Sequence, residues 1–198
     1  NKSFVYDNEK PENKFRTNYF EISKNYITIQ NWKAFIEDGG YKNNKYWTKT
    51  SWAWLKKNNI SSPYNWKINN GAVSVSSYLG YVIPIGTMPV SNISLYELKA
   101  FANWKNLKIA HEHQWEVASK SLLNKYQVWE WCNNKFYAYN GYKPFPYEEY
   151  SKPWFNNNYF TLKGGSPFTD STIKRKSFRN FYKPSTRYIC SGGRLSKF

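Results

Sequence analysis

Methionine occurs once in this 198-residue chain, and histidine and cysteine twice each. Each scarcity excludes something. Cys132 and Cys190 are too few for a disulfide framework and lack CxxC spacing, so a reducing compartment, the cytoplasm, is expected. His111 and His113 form an HxH pair, but no third histidine exists to complete a three-histidine metal site. No apolar run approaches the ~20 residues that cross a bilayer. The first residues also lack the charged-then-apolar pattern of a secretion signal, and no membrane partner is predicted. The chain begins at Asn1 rather than Met, which leaves room for a preceding segment.

Acidic residues are also scarce, 13 against 29 Lys plus Arg, for a net charge of +16. Such a surplus could neutralise a phosphate backbone. The lysines, however, are scattered from Lys2 to Lys197 with no lysine run longer than Lys56-Lys57, as on a solvated surface, which argues against a nucleic-acid partner. Arginine is more localised: Arg175, Arg179, Arg187 and Arg194, four of the five, fall in the last stretch. The planar guanidinium fork suits carboxylates, so these residues are expected to bridge loops to acids such as Glu116 or Glu130.

What the chain has in plenty is rings: 10 Trp, 18 Tyr and 13 Phe, 21% of its residues. An aromatic core buries much area per side chain and must find partners for indole N–H and phenol O–H groups. The length suits a single domain over residues 1–198.

Periodicity predicts a short strand around Phe20 to Ser23 and a helix carrying Trp32, Phe35 and Ile36 that stops at Gly39-Gly40. A second amphipathic helix is predicted over 49–57. Turns and short strands follow, at 72–75 and 81–85. Ser94 and Glu97 form a capping box ahead of Leu95, Leu98, Phe101 and Trp104, which predicts a helix ending near Asn106. Another helix is expected over 112–122, then strands at 128–131 and 159–162 among long loops. Such loops are uncommon in a compact domain unless functional.

Ten segments then fall in a known order. They are DNEKP at 7–11, AFIEDGGY at 34–41, SWAWL at 51–55, PVSNIS at 89–94, HQWEVA at 113–118 and VWEW at 128–131. GYKPFPYEEYSKPWF follows at 141–155, LKGGS at 162–166, SFRNFYKP at 177–184 and SGGRL at 191–195. Across essentially the whole chain this resembles the formylglycine-generating-enzyme-like (sulfatase-modifying factor) domain. PYEEYS and SFRNFY are similar to its branch in iron-dependent, ergothioneine-type sulfoxide synthases. The resemblance implies an α+β, C-type-lectin-like fold with helices packed on a small sheet and long irregular loops.

In that branch the domain follows a helical domain whose three histidines hold Fe(II). The enzyme uses O2 to join a thiol sulfur to the imidazole of trimethylhistidine. The resemblance therefore implies that Fe(II) comes only through a histidine-bearing partner domain, in the same or a separate chain, and that a betaine and a thiol are the small-molecule partners. It makes Tyr147 the proton donor, with Tyr150 its companion in the tyrosine pair, and implies that Asn180 hydrogen-bonds the imidazole. Phe181 would face the trimethylammonium, since a ring face attracts a cation. Tyr182 joins Tyr150, Asn180 and Phe181 as the expected substrate-binding residues, but some branches carry Asp at its position, so a natural partner for a thiol donor's amino group is absent.

The parent formylglycine-generating activity needs two cysteines soon after GGS to hold copper. Residues 167–179 contain none, so that activity is not expected. Nor is a calcium ion predicted near VWEW, where Gln127 replaces the usual Asn. The competing expectation is a non-catalytic C-type-lectin-like module that binds a ligand or protein. Gly193 in place of a bulky apolar residue and Pro167 after GGS both point that way.

Overall fold

The computed structural model describes residues 4–77 and 79–198. Its architecture is mixed α+β, as the family resemblance implies. Strand β1 (Glu21–Ile22) precedes α1 (Ile29–Glu37) and α2 (Lys49–Lys57). Three strands follow, β2 (Trp66–Asn69), β3 (Ala72–Ser77) and β4 (Gly80–Val82), then α3 (Leu95–Trp104) and α4 (Glu112–Ala118). The last third supplies β5 (Trp129–Lys135), β6 (Phe160–Gly164), β7 (Asn180–Tyr182), β8 (Ser191–Gly192) and β9 (Ser196–Lys197). No helix among the described residues is long and apolar enough to cross a membrane.

Three small sheets result. β2, β3 and β4 form an antiparallel meander, and β1 pairs antiparallel with β9. The principal sheet has the order β7-β6-β5-β8, with only β5 and β8 parallel. Its central strands are buried because helices and loops cover both faces.

The core is aromatic. Trp32 stacks on Phe101 with centroids 4.8 Å apart, and Phe35 meets both rings edge-on. Polar tips are satisfied as such a core requires. The Trp32 indole donates to Tyr41 Oη at 3.2 Å, and that hydroxyl donates to Glu97 Oε1 at 2.8 Å. Glu97 is the N3 residue of the α3 capping box, accepting from Ser94 N at 2.8 Å. It also receives Arg187 Nε at 3.0 Å. One carboxylate thus caps a helix and anchors a C-terminal loop.

The other late arginines act alike. Arg179 is 1% exposed and reaches both Glu112 oxygens, at 2.7 and 2.9 Å. Arg194 pairs with the buried Glu130 at 2.9 Å, and Arg175 Nε with Glu9 at 2.9 Å. The bridge expected at Glu116 is instead made by buried Lys163, at 2.7 Å.

Two predicted elements are shorter than expected. The helix at 112–122 stops at Ala118, because the Ser119 and Ser121 hydroxyls cap the carbonyls of Glu116 and Ala118, and Asn124 turns left-handed at φ 54°. The strand at 81–85 stops at Val82, since Pro84 has no N–H to donate to a ladder, and Ile83 beyond it is 88% exposed. Gly193 has a packing reason: a Cβ there would lie 2.5 Å from Leu98 Cδ2.

Candidate functional site

The loop from Gly141 to Phe155 meets β7 where Trp154 approaches Phe181. Two single-turn 3-10 helices, Glu148–Tyr150 and Lys152–Trp154, shape it, with Tyr147 capping the first. Tyr147 is 54% exposed and meets Tyr150 edge-on at 6.4 Å. Tyr150 in turn stacks flat on Tyr6, with centroids 4.5 Å apart and planes 11° from parallel. Burial pushes the Tyr150 phenol above its usual range, and the Tyr6 hydroxyl, Asp7 and Glu9 push the same way. Tyr150 therefore stays protonated.

Phe181 lies in a different ring set from Tyr147 and Tyr150. It stacks on Phe136 at 4.2 Å, and Trp154 approaches it at 6.1 Å. The Trp154 indole donates to the Glu149 carbonyl at 3.3 Å, so the tyrosine loop and β7 share one aromatic cluster. Alternation along a strand places Asn180 and Tyr182 on the face opposite Phe181. Tyr182 accordingly packs against the main core, opposite Phe160, and meets Tyr188 at 6.3 Å. Asn180 accepts through Oδ1 from the Phe181 N–H at 2.9 Å, and among the described residues no hydrogen bond engages its Nδ2. Tyr147 and Tyr150 thus gather on Tyr6, Phe181 lies in a separate ring set with Phe136, Trp154 and Tyr159, and strand alternation turns both Asn180 and Tyr182 away from Phe181.

Tyr6 and the turn after it, Asp7–Glu9, were not among the expected site residues. DNEKP registers only as a landmark, and nothing in its composition indicates that it meets a loop 140 residues later.

The histidines are engaged elsewhere. His111 Nδ1 accepts from the His113 N–H at 3.2 Å at the start of α4. His113 Nε2 lies 2.8 Å from Tyr137 Oη, and its ring stacks on Phe15 at 3.5 Å. Burial pushes the His113 imidazole down to about 4, with Glu112 opposing and His111, Arg179 and Lys163 assisting. Among the described residues no group of three His, Cys, Asp or Glu side chains is placed to hold a metal. The residues present therefore do not fit an iron ion of the chain's own.

Residues 1–127 match the sulfatase-modifying factor enzyme 1-like domain. The chain belongs to that family. Curated relatives align with nearly the whole chain. The hercynine oxygenase of Mycobacterium tuberculosis is 26% identical over 96% of the chain, and that of Mycolicibacterium smegmatis 27% over 96%. The Mycolicibacterium thermoresistibile hercynine oxygenase is 26% identical over 98%. The chain spans about half the length of these relatives, 54–55%. This family domain is thus similar to part of each hercynine oxygenase.

Proposed function

We propose that this chain is the substrate-binding and proton-donating half of an iron- and O2-dependent sulfoxide synthase that forms a C–S bond on a histidine-derived betaine. We read residues 1–198 as a single domain, inactive without a histidine-bearing iron domain, which would supply the oxidising chemistry. The observation that carries the reading is the tyrosine pair: one phenol is half-buried and stacked on Tyr6, and the other is half exposed and meets it edge-on. Similarity to proteins named hercynine oxygenase supports it.

Within that reading, Tyr147 Oη holds the transferable proton, which a phenol keeps at neutral pH yet can donate in a hydrogen bond. Tyr150 fixes the Tyr147 ring by its edge contact. Asn180, the residue the resemblance pairs with the imidazole, lies on the face of β7 opposite Phe181, so in this arrangement the two do not grip one ligand together. Phe181 offers the ring surface not covered by Phe136 to the trimethylammonium, an attraction of about 0.5–2 kcal/mol. Tyr182 brings no carboxylate, so the thiol's amino group must be held elsewhere.

The test is reconstitution: this chain with a histidine-bearing iron domain, Fe(II), O2, trimethylhistidine and a cysteine donor, followed by mass spectrometry. A sulfoxide is expected. Iron binding without product from cysteine or γ-glutamylcysteine would count against the reading.

A second reading, a binding module without catalysis, draws on a different surface. Two hollows of about 580 and 510 Å³ adjoin at Lys183 and Ser185. Basic and aromatic side chains line them, including Lys135, Arg187, Phe160 and Trp54. Saturable binding of a small anion there, together with failed reconstitution, would favour it.

A further inference from the structure

Asp7 is fully buried, and among the described residues no Lys or Arg pairs with it. A buried carboxylate without a cation persists only where hydrogen bonds replace its water. Both of its donors come from the tyrosine loop: Tyr142 Oη at 2.5 Å to Oδ2 and Ser151 Oγ at 2.5 Å to Oδ1. These two residues flank Tyr147 and Tyr150. Each neighbour of Asp7 makes a further tie. Asn8 donates from Nδ2 to Ser151 Oγ at 3.0 Å, and its carbonyl accepts from Arg179 Nη1 at 2.9 Å. Glu9 accepts from Ser177 Oγ at 2.6 Å and from Arg175. Tyr6 completes the set by stacking on Tyr150 and meeting Phe178 edge-on at 5.6 Å.

From this geometry we infer that Asp7 is a positioning residue. It clamps the two ends of the tyrosine loop and so sets where the Tyr147 hydroxyl points. The turn that carries it also ties that loop to the 175–180 segment, so a displacement of residues 6–9 moves both halves of the candidate site together. The inference rests on the proposed function for its chemistry, but the clamp can be examined without any reaction.

Tyr142→Phe and Ser151→Ala remove one donor each while keeping the ring or the small volume, so they spare the core. Hydrogen–deuterium exchange of the 198-residue chain reads the clamp directly. In either variant, amides of 147–155 should exchange about tenfold faster, as expected for local opening eased by a lost charged hydrogen bond. Amides of α3 should be unchanged. In the enzyme reconstituted with an iron domain, each variant should lower kcat severalfold with KM for the betaine unchanged, since Asn180 and Phe181 keep their places. Unchanged exchange at 147–155 in both variants overturns the clamp. Faster exchange with an intact kcat overturns the positioning role. If the wild-type chain makes no sulfoxide but exchange accelerates as stated, the clamp stands and the proposed function fails.

Discussion

Removing Arg179 while leaving its partner is the sharpest perturbation of the frame. In Arg179→Met the aliphatic volume is largely kept, but Glu112, also fully buried, loses bonds at 2.7 and 2.9 Å. Asn134 Nδ2, at 2.9 Å, is its remaining close donor. Breaking a buried pair by deleting one member costs about 3–5 kcal/mol, because the other charge stays buried. For a domain of this size that corresponds to a fall in melting temperature of roughly 6–20 °C.

The pH dependence identifies the cause. Burial alone would raise the Glu112 carboxyl, but the Arg179 charge, the paired hydrogen bonds and Lys163 outweigh it and hold it below the usual range. A depressed carboxyl stabilises the fold above its unfolded pKa, and that stability is lost as pH falls through the folded value. The gap between wild type and Arg179→Met should therefore be widest near pH 7 and narrow as the pH falls, beginning above the ordinary glutamate value of about 4.3 because burial raises the unpaired Glu112 carboxyl. Urea unfolding followed by Trp fluorescence at pH 7 and pH 4 measures it. A loss under about 1 kcal/mol, or a gap independent of pH, would refute the argument that the buried charge sets the cost.

Other outcomes follow from the same coordinates. Ser94→Ala removes the side-chain cap of α3 and should cost about 1–2 kcal/mol in chemical denaturation. Gly192→Ala would place a Cβ 2.6 Å from the Val90 carbonyl, a backbone atom that cannot step aside, so it should destabilise more than Gly193→Ala, whose clash is with the movable Leu98 side chain. The His113 imidazole, pushed down to about 4, favours its neutral form in the fold. Stability tied to it is present above about pH 6.5 and lost toward pH 4, so His113→Gln should flatten that limb of a melting-temperature profile.

The parts of this molecule that the chain announces are those governed by local rules. The α3 capping box is visible as Ser94 and Glu97, and α2 is visible as an amphipathic turn between Thr48 and Asn58. Short strands such as β7 and β8 have no such signal, because two or three residues carry no periodicity and their pairing is decided by strands far along the chain. The candidate site divides in the same way. Flanking motifs single out Tyr147, Tyr150 and Phe181 as candidates, whereas Asp7, Tyr6 and Trp154 stand out only through contacts between segments more than 100 residues apart or as rings that any aromatic core would contain. Tyr182 shows the limit in the other direction: it adjoins Phe181 in sequence, but strand alternation turns it into the core.

The central claim concerns the proton held at Tyr147. Because that ring is half exposed and among the described residues no hydrogen bond engages it, Tyr147→Phe should leave stability within about 0.5 kcal/mol of wild type. Product analysis by mass spectrometry, with chain and variant each joined to the same histidine-bearing iron domain, is the direct measurement. The wild-type chain is expected to form sulfoxide and Tyr147→Phe to lose at least about tenfold of that product, in line with the loss of a positioned proton donor. Equal sulfoxide from both proteins would contradict it.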